Sequence, residues 1–319
     1  MDGKLQSPPE GLICPLVTPL HKDNSLDSAS LIRLIKHVSG TVDGILLSDV
    51  VWGEGLALSK ETRFHLVESA LEIIRGWVPV FITITCETPK ETTLFMGQVE
   101  TFVDRLEYGG KLFWVDYPLF YHSNKELPQM YRQIMTETQI PLILGNLPSL
   151  IKKRKRSTRH HNIRTSVLKK TAQNPSIKGI IYTGTFKRYL NYQQAVRFRQ
   201  DFVFYDGNEM VFLKNPGTGG LVAGGSNIVP EKWLEITRSS LNRYDTERQF
   251  YTHQEAIWES GVMLHSLYGL YKEAPVFCLK QMLKQTGVIA DDHTVDYPHL
   301  PDELWQTDLT TFLRAYGIT

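Results

Sequence analysis

Short apolar runs rich in β-branched and aromatic residues recur along this chain, and each is followed by a longer stretch whose apolar residues return every three or four positions. The runs occupy residues 12–17, 44–47, 78–84, 112–115, 141–144, 177–181, 202–205 and 220–223. Each is too short for a helix and reads as a buried strand. Between them, 27–39, 59–75, 89–107, 124–138, 163–173, 187–200 and 229–240 carry helical periodicity, with a shorter helical piece at 208–214. Ser59-Lys60-Glu61 and Ser123-Asn124 supply helix-start chemistry, because a short polar side chain there can accept from the first free amides.

Eight strands alternating with helices predict an α/β fold with a parallel sheet closed into a (β/α)8 TIM barrel. An open doubly wound sheet is the alternative. Beyond residue 243 no strand-like run remains; three helical patterns at 245–264, 267–285 and 301–316 predict a helical appendage. The chain therefore divides into a barrel over 1–240 and a C-terminal helical extension over 241–319, with no Pro- or Gly-rich linker between them.

Composition narrows the class without naming a function. The 319 residues carry 35 Lys+Arg against 34 Asp+Glu, a net charge of +1, so nothing global attracts a polyanion or an acidic membrane. Three separated cysteines, Cys14, Cys86 and Cys278, make no Cys-x-x-Cys pair and read as reduced thiols. The first residues, MDGKLQSPPEGL, lack the apolar core of a secretory signal, and no apolar run reaches membrane-spanning length. The expectation is a cytoplasmic protein with no membrane partner and no metal or other cofactor.

In a barrel of this kind chemistry belongs where strands end. Those segments read Thr18-Pro19-Leu20, Trp52-Gly53-Glu54-Gly55, Thr88 before Glu91, Pro118-Leu119-Phe120-Tyr121, Asn146-Leu147-Pro148-Ser149, Gly179-Ile180-Ile181, Asp206-Gly207, and Gly219-Gly220 leading to Asn227 and Pro230. In this order and spacing the set resembles the dihydrodipicolinate synthase / N-acetylneuraminate lyase family, over residues 11 to 315. The resemblance implies a barrel with a C-terminal helical extension, a homo-oligomer (dimer or tetramer), and lyases or aldolases whose lysine forms a Schiff base with pyruvate or a related 2-oxo acid.

At the positions that would carry this chemistry the sequence departs from the family. The Gly-Ile-Lys run that ends the sixth strand is Gly179-Ile180-Ile181, and isoleucine has no amine to attack a carbonyl. Lys178, three residues earlier, belongs to the opposite face of the strand. The proton-relay tyrosine of Tyr-Asn-x-Pro-Ser is Gly145, the carboxylate-binding arginine after that run is Leu150, and the two threonines of Gly-Thr-Thr-Gly-Glu are Val51 and Trp52, with one residue extra before them. The Pro-Tyr-Tyr run is Pro118-Leu119-Phe120, where Tyr121 supplies a phenol if the loop shifts by one residue.

The predicted pocket lining is Trp52, Gly53, Glu54, Phe120, Tyr121, Asn146, Ile181, Thr183 and Asp206. Trp52 either fills the space of the pyruvate carboxylate or packs outward on a neighbouring subunit. Strand-end acids such as Asp49, Asp116 and Asp206 offer a carboxylate pair for acid-base work, or simply close turns. After the fifth strand, Lys152, Lys153, Arg154, Lys155, Arg156 and Arg159 form a run unopposed by any acid, read as an exposed loop that either contacts a polyanion or is merely solvated. No aromatic residue is interleaved for base stacking, so nucleic acid is not the expected partner. Three functions remain: a binding, regulatory or structural subunit without Schiff-base lyase activity, taking a small carboxylate or oxo acid; an active lyase or aldolase with relocated groups; and a nucleic-acid or phosphate-partner protein acting through the basic run.

Overall fold

The computed structural model describes residues 6–154, 160–216, 219–241, 250–295 and 303–318. Eight parallel strands close a barrel in the order β1 to β8, with β1 hydrogen-bonded to β8. They are β1 (Gly11–Pro15), β2 (Gly44–Leu47), β3 (Val80–Thr83), β4 (Leu112–Asp116), β5 (Leu142–Asn146), β6 (Ile177–Tyr182), β7 (Val203–Asp206) and β8 (Gly220–Val222). Each lies within two residues at either end of an apolar run read from the sequence.

Around them lie α1 (Ser28–Ser39), α2 (Lys60–Ile74), α3 (Pro89–Arg105), α4 (Leu127–Ile134), α5 (Pro148–Lys153), α6 (Thr165–Thr171), α7 (Phe186–Val196), α8 (Glu209–Lys214) and α9 (Pro230–Ser240). Three further helices, α10 (Phe250–Tyr271), α11 (Pro275–Gln285) and α12 (Glu303–Ala315), form the C-terminal helical region. Short polar residues start many of them: Asp27, Ser59, Thr88, Thr185 and Asn208 each accept from a first-turn amide. No helix among the described residues is long and apolar enough to cross a membrane.

Strand alternation sorts the apolar residues into two layers. Ile13, Leu46, Phe81, Phe113, Val115, Tyr117, Ile143, Ile181, Tyr205 and Val222 fill the barrel interior. Their neighbours, such as Leu12, Ile45, Ile82, Trp114, Leu144 and Ile180, face the helices. The interior is a packed core, as expected when eight strands converge on side chains of this size. The seam between first and last strands is closed by Asn227, whose side chain donates to Pro15 O and Gly224 O and accepts from Val17 N.

Several boundaries correct the sequence reading. The first two C-terminal helices break at residues 272–274, ahead of Pro275, and not at 265–266; residues 245–249 and 301–302 of the expected patterns lie outside the described residues. Proline at the first position of α11 both permits that start and prevents α10 from continuing. Helix α4 starts at Leu127 and not at Ser123-Asn124, because Glu126 adopts a left-handed conformation (φ 61°). Residues 148–153, read as loop, form α5 with Pro148 at its first turn.

Candidate active site

The loop leaving β2 is wound tightly on itself. Ser48 and Glu54 both have positive φ (49° and 55°), a conformation that disfavours side chains and marks stored strain. Asp49 holds the turn: its carboxylate accepts from Val51 N at 2.8 Å and Trp52 N at 3.0 Å. Gly53 and Gly55 are required by the same winding, since a Cβ there would meet Asp49 N at 2.7 Å and Ser48 O at 1.9 Å. At the loop's end Glu54 forms a buried ion pair with Lys280 of α11 and accepts from Val295 N at 2.7 Å. Burial pulls the Lys280 amine below its ordinary range, and Glu54 opposes that fall.

Trp52 stands over the end of β8. A Cβ at Gly224 would come within 2.3 Å of its indole, and its ring meets Tyr271 edge-on with centroids 5.8 Å apart. The indole thus links the β2 loop to α10.

Beneath this loop sits a phenol that the motif comparison passed over. Tyr117, following β4, belongs to the barrel interior and donates to Asp49 Oδ1 at 3.0 Å. Its ring covers Gly145, where a Cβ would approach within 2.3 Å. The resemblance placed a proton-relay tyrosine at 145; here the neighbouring strand sends a phenol over that glycine. Burial raises the Asp49 carboxyl, and burial with the Asp49 charge holds the Tyr117 hydroxyl well above its ordinary value. Alternation from Phe113 and Val115 was the signal that could have found Tyr117.

Ile181 is also interior, 4% exposed, among apolar neighbours. Lys178 faces the other way, with its amine 2.6 Å from Asp201. Arg199 and Lys178 together hold the Asp201 carboxyl well below its usual range.

A cavity of about 650 Å³ opens at the strand-end face between the β2 loop, α5 and the start of α11. Val50, Val51, Leu56, Leu147, Leu150, Pro275 and Phe277 form its apolar wall, and Glu54, Ser149, Lys153, Glu273 and Thr294 supply polar atoms. Glu54 alone of the nine expected lining residues reaches it. Ile181 lies in the barrel core, Trp52 on β8, and Gly53 within the turn.

The other positions lie outside this cavity. Tyr121 donates to Asp116 Oδ2 at 2.5 Å, alongside Tyr131 at 2.7 Å and Thr85 at 2.7 Å to Oδ1, so the phenol serves a buried carboxylate. Burial raises Asp116, and these three bonds oppose the rise. Phe120 lies under the Arg154 guanidinium, 3.9 Å from its ring centroid. Asn146 accepts from Ile163 N at 2.9 Å and donates to Asn162 Oδ1 at 3.1 Å. Thr183 N and O bond to Asn146 O and Nδ2, and Asp206 turns into a separate crevice with Tyr182 and Tyr189, where burial pushes its carboxyl up to about 6.

The basic run is corrected as well. Arg154 pairs with Glu87 and donates to Phe120 O at 2.6 Å, so it is neither unopposed nor free for a polyanion. Lys152 and Lys153 are exposed on α5, and Lys155, Arg156 and Arg159 lie outside the described residues.

Residues 8–303 match the family model described as the dihydrodipicolinate synthetase family. The chain belongs to that family. Among its relatives, the 4-hydroxy-tetrahydrodipicolinate synthase of Methanosphaerula palustris is 23% identical over 273 residues, covering 84% of this chain and 82% of the relative. The dihydrodipicolinate synthase structure from Bacteroides thetaiotaomicron superposes with a TM-score of 0.80 at 21% identity, over 97% of this chain and 99% of its own. The chloride-inhibited dihydrodipicolinate synthase from Acinetobacter baumannii, solved with pyruvate, gives 0.76 at 20% identity, over 97% and 99%. At such identities the two structures speak for the fold. This dihydrodipicolinate synthetase family member shares the barrel and the C-terminal helical region of those structures.

Proposed function

We propose that this chain is a family member without Schiff-base lyase activity, acting as a ligand-binding subunit that takes a small carboxylate or oxo acid at the barrel mouth. One observation carries the reading: the sixth strand ends in Ile181 inside an apolar core, while its lysine, Lys178, is turned outward into a pair with Asp201. Carbinolamine formation needs an unprotonated amine beside the carbonyl, and neither residue provides one. The mouth cavity suits an acid with an apolar body, since Lys153 is the lysine on its rim and most of its wall is aliphatic. We further read the protein as a cytoplasmic homo-oligomer.

The test is intact mass after incubation with pyruvate and borohydride, for wild type, Lys178→Ala and Lys153→Ala. No pyruvyl adduct is expected on folded protein. An adduct lost in either variant would overturn the reading and identify a relocated nucleophile.

A second reading rests on Tyr117 and Asp49. A phenol and a carboxylate 3.0 Å apart over Gly145 could move the proton α to a carbonyl without an imine. Deuterium exchange into pyruvate methyl, abolished by Tyr117→Phe and Asp49→Asn, would support this relocated acid-base pair; exchange at the buffer rate would remove it.

A further inference from the structure

Between the loop entering α6 and the first turn of α7 lies a second crevice, of about 290 Å³, on the strand-end face but apart from the mouth cavity. Its lining is His160, His161, Asn162, Arg164 and Arg188. Each can donate hydrogen bonds, and none carries negative charge. The arginine ion pairs among the described residues belong to Arg105, Arg154 and Arg199, so both guanidiniums here lack a carboxylate partner.

The crevice is held in shape from below. Asn146, 1% exposed at the end of β5, accepts from Ile163 N at 2.9 Å and donates to Asn162 Oδ1 at 3.1 Å. Asn124 donates to Asn162 O at 3.0 Å and accepts from Arg164 N at 2.7 Å. Two asparagine side chains thus fix three consecutive residues of the loop. On the facing side Arg188 rises from the first turn of the 11-residue α7, whose free amides add partial positive charge. Asp206, the acid at the end of β7, is turned into a different crevice with Tyr182 and Tyr189.

We infer that this crevice binds the phosphate group of a small phosphomonoester, with Arg164 and Arg188 gripping the oxygens from opposite walls. Paired guanidiniums match the tetrahedral oxyanion through charge-assisted bonds. The small volume and the lack of a Phe, Tyr or Trp in the lining favour a small molecule over single-stranded nucleic acid, which needs stacking surfaces.

Isothermal titration at constant ionic strength tests the site, with inorganic phosphate, glycerol 3-phosphate and a short oligouridylate as probes. Wild type should show saturable one-site binding of the first two. Arg164→Gln and Arg188→Gln should each weaken it by about ten-fold or more, while Lys152→Gln, outside the crevice, leaves it unchanged. Circular dichroism establishes that each variant is folded. Absence of saturable phosphate binding, indifference to both arginine changes, equal loss in Lys152→Gln, or binding of the oligouridylate alone would each overturn the inference.

Discussion

Tyr117 and Gly145 act as one unit, because the phenol ring occupies the volume that any side chain at 145 would need. Gly145→Ala should therefore destabilise the fold by about 1–3 kcal/mol through overpacking. In a double-mutant cycle with Tyr117→Ala the loss should shrink; additive effects, measured by urea unfolding, would show that the two do not share this space. The Glu54–Lys280 pair makes a second residue-scale case. Both side chains are buried, so removing one partner leaves a charge without compensation. Lys280→Met is expected to lose about 3–5 kcal/mol by the same measurement, and Lys280→Met with Glu54→Leu to recover most of it.

At the scale of elements, α8 carries a buried acid that ties it to the turn after β8 and to the end of α10. Glu209 accepts from Gly225 N at 2.9 Å and from Tyr271 Oη at 2.8 Å, and burial pushes its carboxyl up to about 7. The groups facing it are Cys14, Tyr268 and Tyr271, so no cation offsets its charge. A folded-state value above the unfolded one means the native state holds the proton longer. Glu209's contribution is then fully present below about pH 4.5 and declines as pH rises through about 7, by roughly 3 kcal/mol. Glu209→Gln should flatten stability between pH 5 and 7.5; an unchanged slope would assign it to another group.

The strands were legible because buried β-strands are short, apolar and bounded by turn residues, as at 44–47, where reading and structure coincide. The break before α11 was less so, since the apolar residues of α10 do not keep to one face and offer no phase change, leaving Pro275 as the signal that mattered. Family order alone put Tyr121, Asn146 and Asp206 in the mouth. Counting alternate residues from Ile143 and Tyr205, both interior, would have turned Asn146 and Asp206 toward the helices, whereas Tyr121 lies beyond the end of β4 and past the helical turn at Pro118–Phe120, where alternation no longer applies.

For the whole molecule, the C-terminal helices are stitched to the barrel through chemically different joints. Trp52 meets Tyr271, Glu54 meets Lys280, Glu209 meets Tyr271, and Arg33 donates to Val288 O at 3.0 Å. Barrel and extension should therefore unfold together. Far-UV dichroism and tryptophan fluorescence are expected to give coincident thermal transitions, whereas two separated transitions would make the extension an independent unit. The covering of Gly145 by Tyr117 reaches further than stability. Substitution at this pair meets a steric ordering: a tyrosine at 145 has no room until residue 117 becomes small, and a lysine at 181 would arrive among apolar neighbours. A side chain at 145 is thus contingent on an earlier change at 117, and packing sets the order in which substitutions at this pair can accumulate.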